Sequence, residues 1–309
     1  MYSFVDTHCD TVVKAYEKKQ RLYENSLHID LKRLKEYDAP VQIFAIWLDK
    51  KYHNAPFDES IKRIDYYHQQ VSENVDIIDH ISDFRDIKKN KENKKISGIL
   101  SIEGGKALEG KLENLYRLHE KGVRAMTLTW NYKNCIGSGA GEKEGGLTEF
   151  GYTVVREMER LKMFVDVSHL NDDSFWDVVK IAEKPFFASH SNSRKITNVR
   201  RNLTDAQMKA IVEKGGMIGI NLCGLFLSSS INSNIDNVLK HIDHMMKVIG
   251  CDNIGFGFDF DGVTDLPEGV AGVEDTIQII KAIKKKYGDT IAKKISEENF
   301  LNYFSIWAE

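Results

Sequence analysis

Val41-Gln42-Ile43-Phe44-Ala45-Ile46-Trp47-Leu48 is an almost unbroken apolar run of strand length, with Pro40 just outside it. A strand with one wet face alternates apolar and polar residues, whereas a strand buried on both faces of a parallel sheet need not. Gly216-Met217-Ile218-Gly219-Ile220-Asn221-Leu222 reads the same way. Outward from these two, further β-rich runs fall at 3–8, 96–103, 123–130, 163–169, 184–190 and 253–260, which with 41–48 and 215–222 makes eight candidate strands. Pro40 and Pro185 sit at strand starts, where a missing N–H does least harm.

The intervening segments carry helical period. Ile235, Val238, Leu239, Ile242, Met245, Met246 and Ile249 recur at helical spacing. Thr204 and Gln207 are spaced for a capping box, Leu203 and Met208 for a hydrophobic staple, and Gly215-Gly216 for the helix end. Eight strand–helix units in one chain predict a (β/α)8 barrel of the TIM type, a single domain over residues 1–309. A doubly wound open sheet is the rival, because alternation does not distinguish closure from opening. No repeat and no Gly/Ser/Pro linker divides the chain. The glycine-rich stretch 131–146, after the fourth strand, is placed to serve as a lid.

Composition narrows the class. The 309 residues are 42% hydrophobic and 29% charged, with a net charge of −3, so no basic excess favours nucleic acid or an anionic membrane surface. The lysine clusters at 88–95 and 284–286 lack interleaved aromatics and read as solvated surface. Four scattered cysteines (Cys9, Cys135, Cys223, Cys251) argue against a disulfide scaffold or zinc ribbon. No apolar run approaches the roughly 20 residues of a membrane helix. The chain enters Phe4-Val5-Asp6-Thr7-His8 almost at once, leaving no room for a signal peptide. The expectation is a cytoplasmic protein.

Ligand-type residues fall at strand ends. His8 and Asp10 close the first strand, Glu103 the third, His169 the fifth, His190 the sixth, and Asp259 and Asp261 the eighth. In a barrel these ends share one rim, where active sites are assembled. His8-Cys9-Asp10 places two ligands on one strand face. Glu103 ends a buried run and needs a partner. A single core histidine is ordinarily just a packed, satisfied residue. Val165-Asp166-Val167-Ser168-His169 and Phe186-Phe187-Ala188-Ser189-His190, however, repeat one design at parallel places. Imidazole and carboxylate without thiolate suit Zn2+ or a similar divalent ion, and the sequence does not choose among Zn2+, Mn2+ and Co2+. Asp6 reads as a structural acid, and Asp261 as a reserve for a catalytic carboxylate. His28, His53, His68, His80 and His119 read as surface or packing residues, and His241 and His244 as lying on the polar side of a helix.

The motifs Asp6-Thr7-His8-Cys9-Asp10-Thr11, Ser101-Ile102-Glu103-Gly104-Gly105, Met126 to Asn131, Gly146 to Gly151, Asp166 to His169, Ala188 to Ser191, Arg200-Arg201-Asn202-Leu203 and Gly255 to Gly262 occur in one order along nearly the whole chain. In this it resembles the renal (membrane) dipeptidase family of binuclear zinc barrels. The resemblance implies two Zn2+ per chain, one held by His8 and Asp10, the other by His169 and His190, with Glu103 bridging. It implies that Asp259 is the acid/base carboxylate and that Arg201 binds the substrate's C-terminal carboxylate. It also implies a homodimer and tolerance of a C-terminal D-residue. Trp130 departs from the pattern: mammalian members have a substrate-contacting histidine there, and tryptophan is donor-only and bulky.

The expected function is therefore a zinc dipeptidase acting on short peptides with a free C-terminal carboxylate. A hydroxide bridging the metals would attack the peptide carbonyl and Asp259 would carry the proton to the departing amine. Such a core is nearly neutral, so Arg201 would have to select the anionic end. A related hydrolase of a lactam, cyclic amide or acyl amino acid keeps every metal residue, and Trp130 favours it. A non-catalytic metal-binding scaffold is the reading from another class.

Overall fold

The computed structural model describes residues 2–230 and 232–308. Its centre is a parallel sheet of β1 (Val5–Cys9), β2 (Val41–Trp47), β3 (Ile78–His80), β4 (Ile96–Glu103), β5 (Val123–Thr127), β6 (Phe164–Asp166), β7 (Ile218–Ile220) and β8 (Ile254–Phe256). Pairing runs β6-β5-β4-β2-β1-β8-β7, with β3 beside the first residues of β4. The path closes through residues 187 and 188. The Phe187 amide donates to the Val165 carbonyl at 3.1 Å, and the Val167 amide donates to the Phe187 carbonyl at 2.9 Å. On the other side Ala188 donates to Met217 at 2.9 Å and Gly219 donates to Ala188 at 2.8 Å. The ring is a closed barrel, and the open-sheet alternative is excluded.

Residues 184–190 depart from the expectation of a strand. They contribute only the bridges Asp166–Phe187 and Ala188–Ile218. Side chains supplement this short ladder: Asp166 Oδ1 accepts the Ser168 and Ser189 amides at 3.0 and 2.9 Å, and Ser168 Oγ accepts the His190 amide at 3.0 Å. β6, β7 and β8 are shorter than their sequence runs because the residues after them turn away from the ladder to form the rim. The short β3 was not anticipated; a three-residue strand carries no usable period.

Inside the barrel Thr7 Oγ1 donates to the Ser189 carbonyl at 2.6 Å. A Cβ on Gly257 would lie 1.7 Å from the same carbonyl oxygen, so only glycine lets the backbones approach there. The end away from the rim is plugged by the helix Asn299–Ala308. Phe304 and Trp307 pack on Phe164, the first residue of β6, with ring centroids 5.3 and 5.1 Å apart.

The helix Asp205–Glu213 starts with the anticipated capping box: the Thr204 hydroxyl accepts the Gln207 amide at 3.2 Å and Gln207 Oε1 accepts the Thr204 amide at 2.8 Å. The helix Ile235–Ile249 corrects one expectation, since His241 is fully buried and not on a polar side. Position 241 lies between Val238 and Met245 on the apolar stripe, and Nδ1 accepts the Ser193 amide at 3.0 Å while Nε2 meets the Leu227 carbonyl at 3.1 Å.

The middle of the stretch 131–146 packs into the fold. Residues 136–140 are buried, the Ala140 amide donates to the His169 carbonyl at 2.7 Å, and the Asn171 side chain donates to the Gly145 carbonyl at 2.8 Å. Among the described residues no helix is long and apolar enough to cross a membrane.

Candidate metal centre

Each parallel strand delivers its last side chains to one end of the barrel, and the polar residues of the sequence collect there. His8 lies on β1 and Asp10 just beyond it; Glu103 ends β4. His169 and Asp259 follow β6 and β8 by three residues, and His190 follows the bridging segment. All six are buried.

The two oxygens of Glu103 face different partners. Oε1 lies 2.8 Å from His169 Nε2 and 3.7 Å from His190 Nε2, while Oε2 lies 3.7 Å from His8 Nε2. His8 Nε2 is also 3.6 Å from Asp10 Oδ2 and 3.8 Å from Asp259 Oδ1. The candidate ligand atoms of His8, Glu103 and His190 lie within 4.8 Å of one another, as do those of His8, Asp10 and Asp259.

These residues fit a metal pair. His8 Nε2 and Asp10 Oδ1 are buried without a hydrogen-bond partner, which is costly unless something fills the space they face. His169 Nε2 and His190 Nε2 are only 2.9 Å apart, and their outer nitrogens are already engaged. His169 Nδ1 meets Asn131 Oδ1 at 2.8 Å, and His190 Nδ1 meets Ser189 Oγ at 2.6 Å. The Ser189 hydroxyl in turn donates to Asp166 Oδ2 at 2.5 Å. With Nδ1–H donating outward, each ring turns an Nε2 lone pair toward Glu103, the arrangement a metal-binding imidazole requires.

The backbone is strained where these groups are presented. His169, Asp259 and Asp261 have φ of +67°, +63° and +67°, a region that non-glycine residues seldom occupy and that clusters at functional sites. Gly262 supplies the needed room: a Cβ there would lie 2.1 Å from Asp259 Oδ1 and 2.4 Å from Asp10 Oδ2.

Crowded acids and rings in a buried site shift one another's proton affinity. Burial pushes Asp259 up to about 7, with the carboxylates of Asp10 and Glu103 adding to it, and burial with Glu103 pushes Asp10 up to about 6. Burial pulls His169 down to about 4, helped by the Arg201 charge, and holds His190 well below the ordinary imidazole value. Burial alone would raise Glu103 and lower His8. Their mutual attraction outweighs it, leaving Glu103 below and His8 above its ordinary value.

The remaining sequence candidates divide. Arg201 is buried beside the centre; its Nη2 donates to the His190 carbonyl at 3.3 Å, its guanidinium sits 5.3 Å from the Phe226 ring centroid, and Nε has no partner. Trp130 packs on Trp47 and lies 6.1 Å from the His169 ring. Asp261 is committed elsewhere, accepting the Thr11 hydroxyl at 2.6 Å and the His28 amide at 2.9 Å, so it is no reserve for Asp259. Asp6 is structural, accepting the Phe258 amide at 2.8 Å and the Gln42 side chain at 3.0 Å. Sequence reading missed Asn131, Asn221, whose side chain donates to Asp259 Oδ2 at 3.0 Å, and Gly262. The signal available was their adjacency to rim motifs. A cleft of about 290 Å3 opens over the centre, lined among others by Asp10, Lys14, Trp47, Glu103, Trp130, His169, Phe226 and Asp259.

A closed (β/α)8 barrel with imidazoles and carboxylates gathered on its rim defines a metal-dependent hydrolase. Residues 2–308 match the model of the membrane dipeptidase family, peptidase family M19, and the chain belongs to that family. The chain is 32% identical over 237 residues to an uncharacterized protein in the pqqA 5′ region of Klebsiella pneumoniae, covering 72% of this chain and 87% of the relative. Among solved structures, the dipeptidase AC, a metallopeptidase of family M19, superposes with a TM-score of 0.93 at 26% identity, over 100% of this chain and 99% of that one. A metallopeptidase from Rhodobacter sphaeroides, liganded with a phosphinate mimic of the dipeptide L-Ala-D-Ala, superposes with a TM-score of 0.89 at 25% identity, over 98% and 99%. The chain is a metallopeptidase of the dipeptidase type.

Proposed function

We propose that the protein is a zinc dipeptidase cleaving short peptides with a free C-terminal carboxylate, including peptides with a D-residue at that end, and that residues 1–309 form one catalytic domain. The observation that carries this reading is the position of Glu103, with one oxygen toward His8 and the other toward His169 and His190. His8 and Asp10 would hold one Zn2+, His169 and His190 the other, and Glu103 would serve both; Mn2+ or Co2+ suits the same donors. When bound, the metals supply Lewis acidity and bring the pKa of water near 7.

The chain's own residues do the rest. Asp259 has its Oδ2 fixed by Asn221, which leaves Oδ1 beside His8 to take the proton of the attacking water and return it to the departing amine. Arg201 offers an unpartnered buried N–H to the substrate's carboxylate, which limits the length of peptide that fits. Trp130 forms the wall where a histidine would otherwise reach the substrate. The phosphinate mimic of L-Ala-D-Ala in the Rhodobacter sphaeroides relative supports acceptance of a D-residue. A cytoplasmic homodimer completes the reading.

The deciding experiment measures hydrolysis of matched L,L and L,D dipeptides by chelated and by zinc-reconstituted protein, with bound metal counted in the same samples. Two metals per chain with zinc-restored cleavage are expected. Two metals without cleavage would overturn the substrate and favour lactams or acyl amino acids, for which the Trp130 wall is the reshaped part.

A further inference from the structure

A second cavity, of about 360 Å3, adjoins the metal cleft and shares Trp47, Glu103 and Trp130 with it. Its own walls bring Lys50, Lys106 and Lys133 together with Tyr132. Glu103 is the only acid on its wall and belongs to the metal centre. Lys50 rests its amine 4.4 Å over the Tyr132 ring and not on a carboxylate. Lys106 is half-buried, two residues beyond Gly104, whose φ of +95° turns the chain away from β4. Its amine donates to the Leu48 and Asp49 carbonyls, the latter at 3.2 Å. An ammonium has three donors, so these carbonyls leave one free. The Asp49 carboxylate accepts the Lys51 amide at 2.9 Å. Among the described residues none of the three lysines forms an ion pair.

We propose that this cavity receives the side chain of the residue N-terminal to the scissile bond and selects a carboxylate there, with Lys106 as the recognising group. The inference rests on the dipeptidase reading. Arg201 packs on Phe226, which lines only the first cleft, so a substrate whose C-terminal carboxylate lies at that end extends its other residue past Trp47 and Trp130. The indoles would cover the methylenes of a glutamate side chain and the lysines would meet its carboxylate. A basic side chain would be repelled.

The test compares kcat/KM for four dipeptides sharing one C-terminal residue, with Glu, Gln, Leu or Lys at the N-terminal position. Glu is expected to exceed Gln by about tenfold, the worth of one charge-assisted contact, and Lys to be poorest. Added salt should narrow the gap. Lys106→Met should bring the Glu/Gln ratio close to one. Should Lys106→Met not fold, the double variant Lys50→Met/Lys133→Met, on exposed residues, should still lower the ratio. A wild-type ratio near one, or an unchanged ratio in folded variants, overturns the inference and leaves the dipeptidase intact. Failure of the two-metal protein to cleave any of the four overturns the dipeptidase reading and this inference with it.

Discussion

Asn131 Oδ1 lies 2.8 Å from His169 Nδ1, so a residue of the loop after β5 fixes the orientation of an imidazole presented by β6. Outer partners of this kind set which ring nitrogen keeps its lone pair. Asn131→Ala should weaken metal binding by about 10- to 100-fold, measured by competition with a chelator of known affinity. Asn131→Asp, which keeps the acceptor, should recover most of it. Unchanged affinity in the alanine variant would mean that the ring is held without Asn131.

Glu103 and Asp259 are both buried carboxylates near His8, yet they should fail differently. Glu103→Gln should lose bound metal and nearly all activity. Asp259→Asn should keep the metal and lose turnover. Elemental analysis beside single-turnover kinetics separates the two, and metal loss in Asp259→Asn would move that residue into the ligand set.

Arg201 is predicted to act on binding of the substrate's charged end. Arg201→Ala should raise KM for free dipeptides, and substrates amidated at the C-terminus should change little. Equal losses on both substrate types would point to a packing role against Phe226.

Gly262 has no side chain because Asp259 and Asp10 occupy the place of its Cβ. Gly262→Ala should therefore cut kcat at least tenfold while circular dichroism stays unchanged. Full activity would show that the two carboxylates can shift without consequence.

The buried His241 ties acid stability to the fold. Burial pulls it down to about 4, whereas in the unfolded chain it titrates near 6.5. Between these values the unfolded state binds a proton that the folded state refuses. Stability therefore falls as pH drops from about 6.5 to about 4, by on the order of 3 kcal/mol from this group, and the loss is complete below that. His241→Asn should lower stability at pH 7 yet flatten the fall of the urea midpoint between pH 6.5 and 4. An equal slope in the variant would assign the acid sensitivity to other groups.

The buried strands were legible because β2 and β4 are long and mostly apolar, and Glu103 stood out as the acid that ends one of them. The rim as a whole could be read because each ligand-type residue ends such a run. Residues 184–190 misled because an apolar segment reads as a strand whether a full ladder or two bridges hold it. His241 misled because a polar residue type was weighed above its place between Val238 and Met245. Asn131, Asn221 and Gly262 stood within quoted stretches, but their roles could not be read there: what they do depends on contacts between segments far apart in sequence, and no local period records those.

The joint between β6 and residue 187 lies directly below His169 on one side and His190 on the other. It has only two backbone hydrogen bonds, with Asp166 and Ser168 side chains lending the rest. A barrel opens most readily where its hoop is thinnest, and here that place is under two of the candidate ligands. A cation gripped by both rings would act as a clasp across this joint. Loading the protein should then slow deuterium uptake at Phe187, Ala188 and Gly219, far below the rim, so that the same ions that prepare the chemistry also keep the hoop shut.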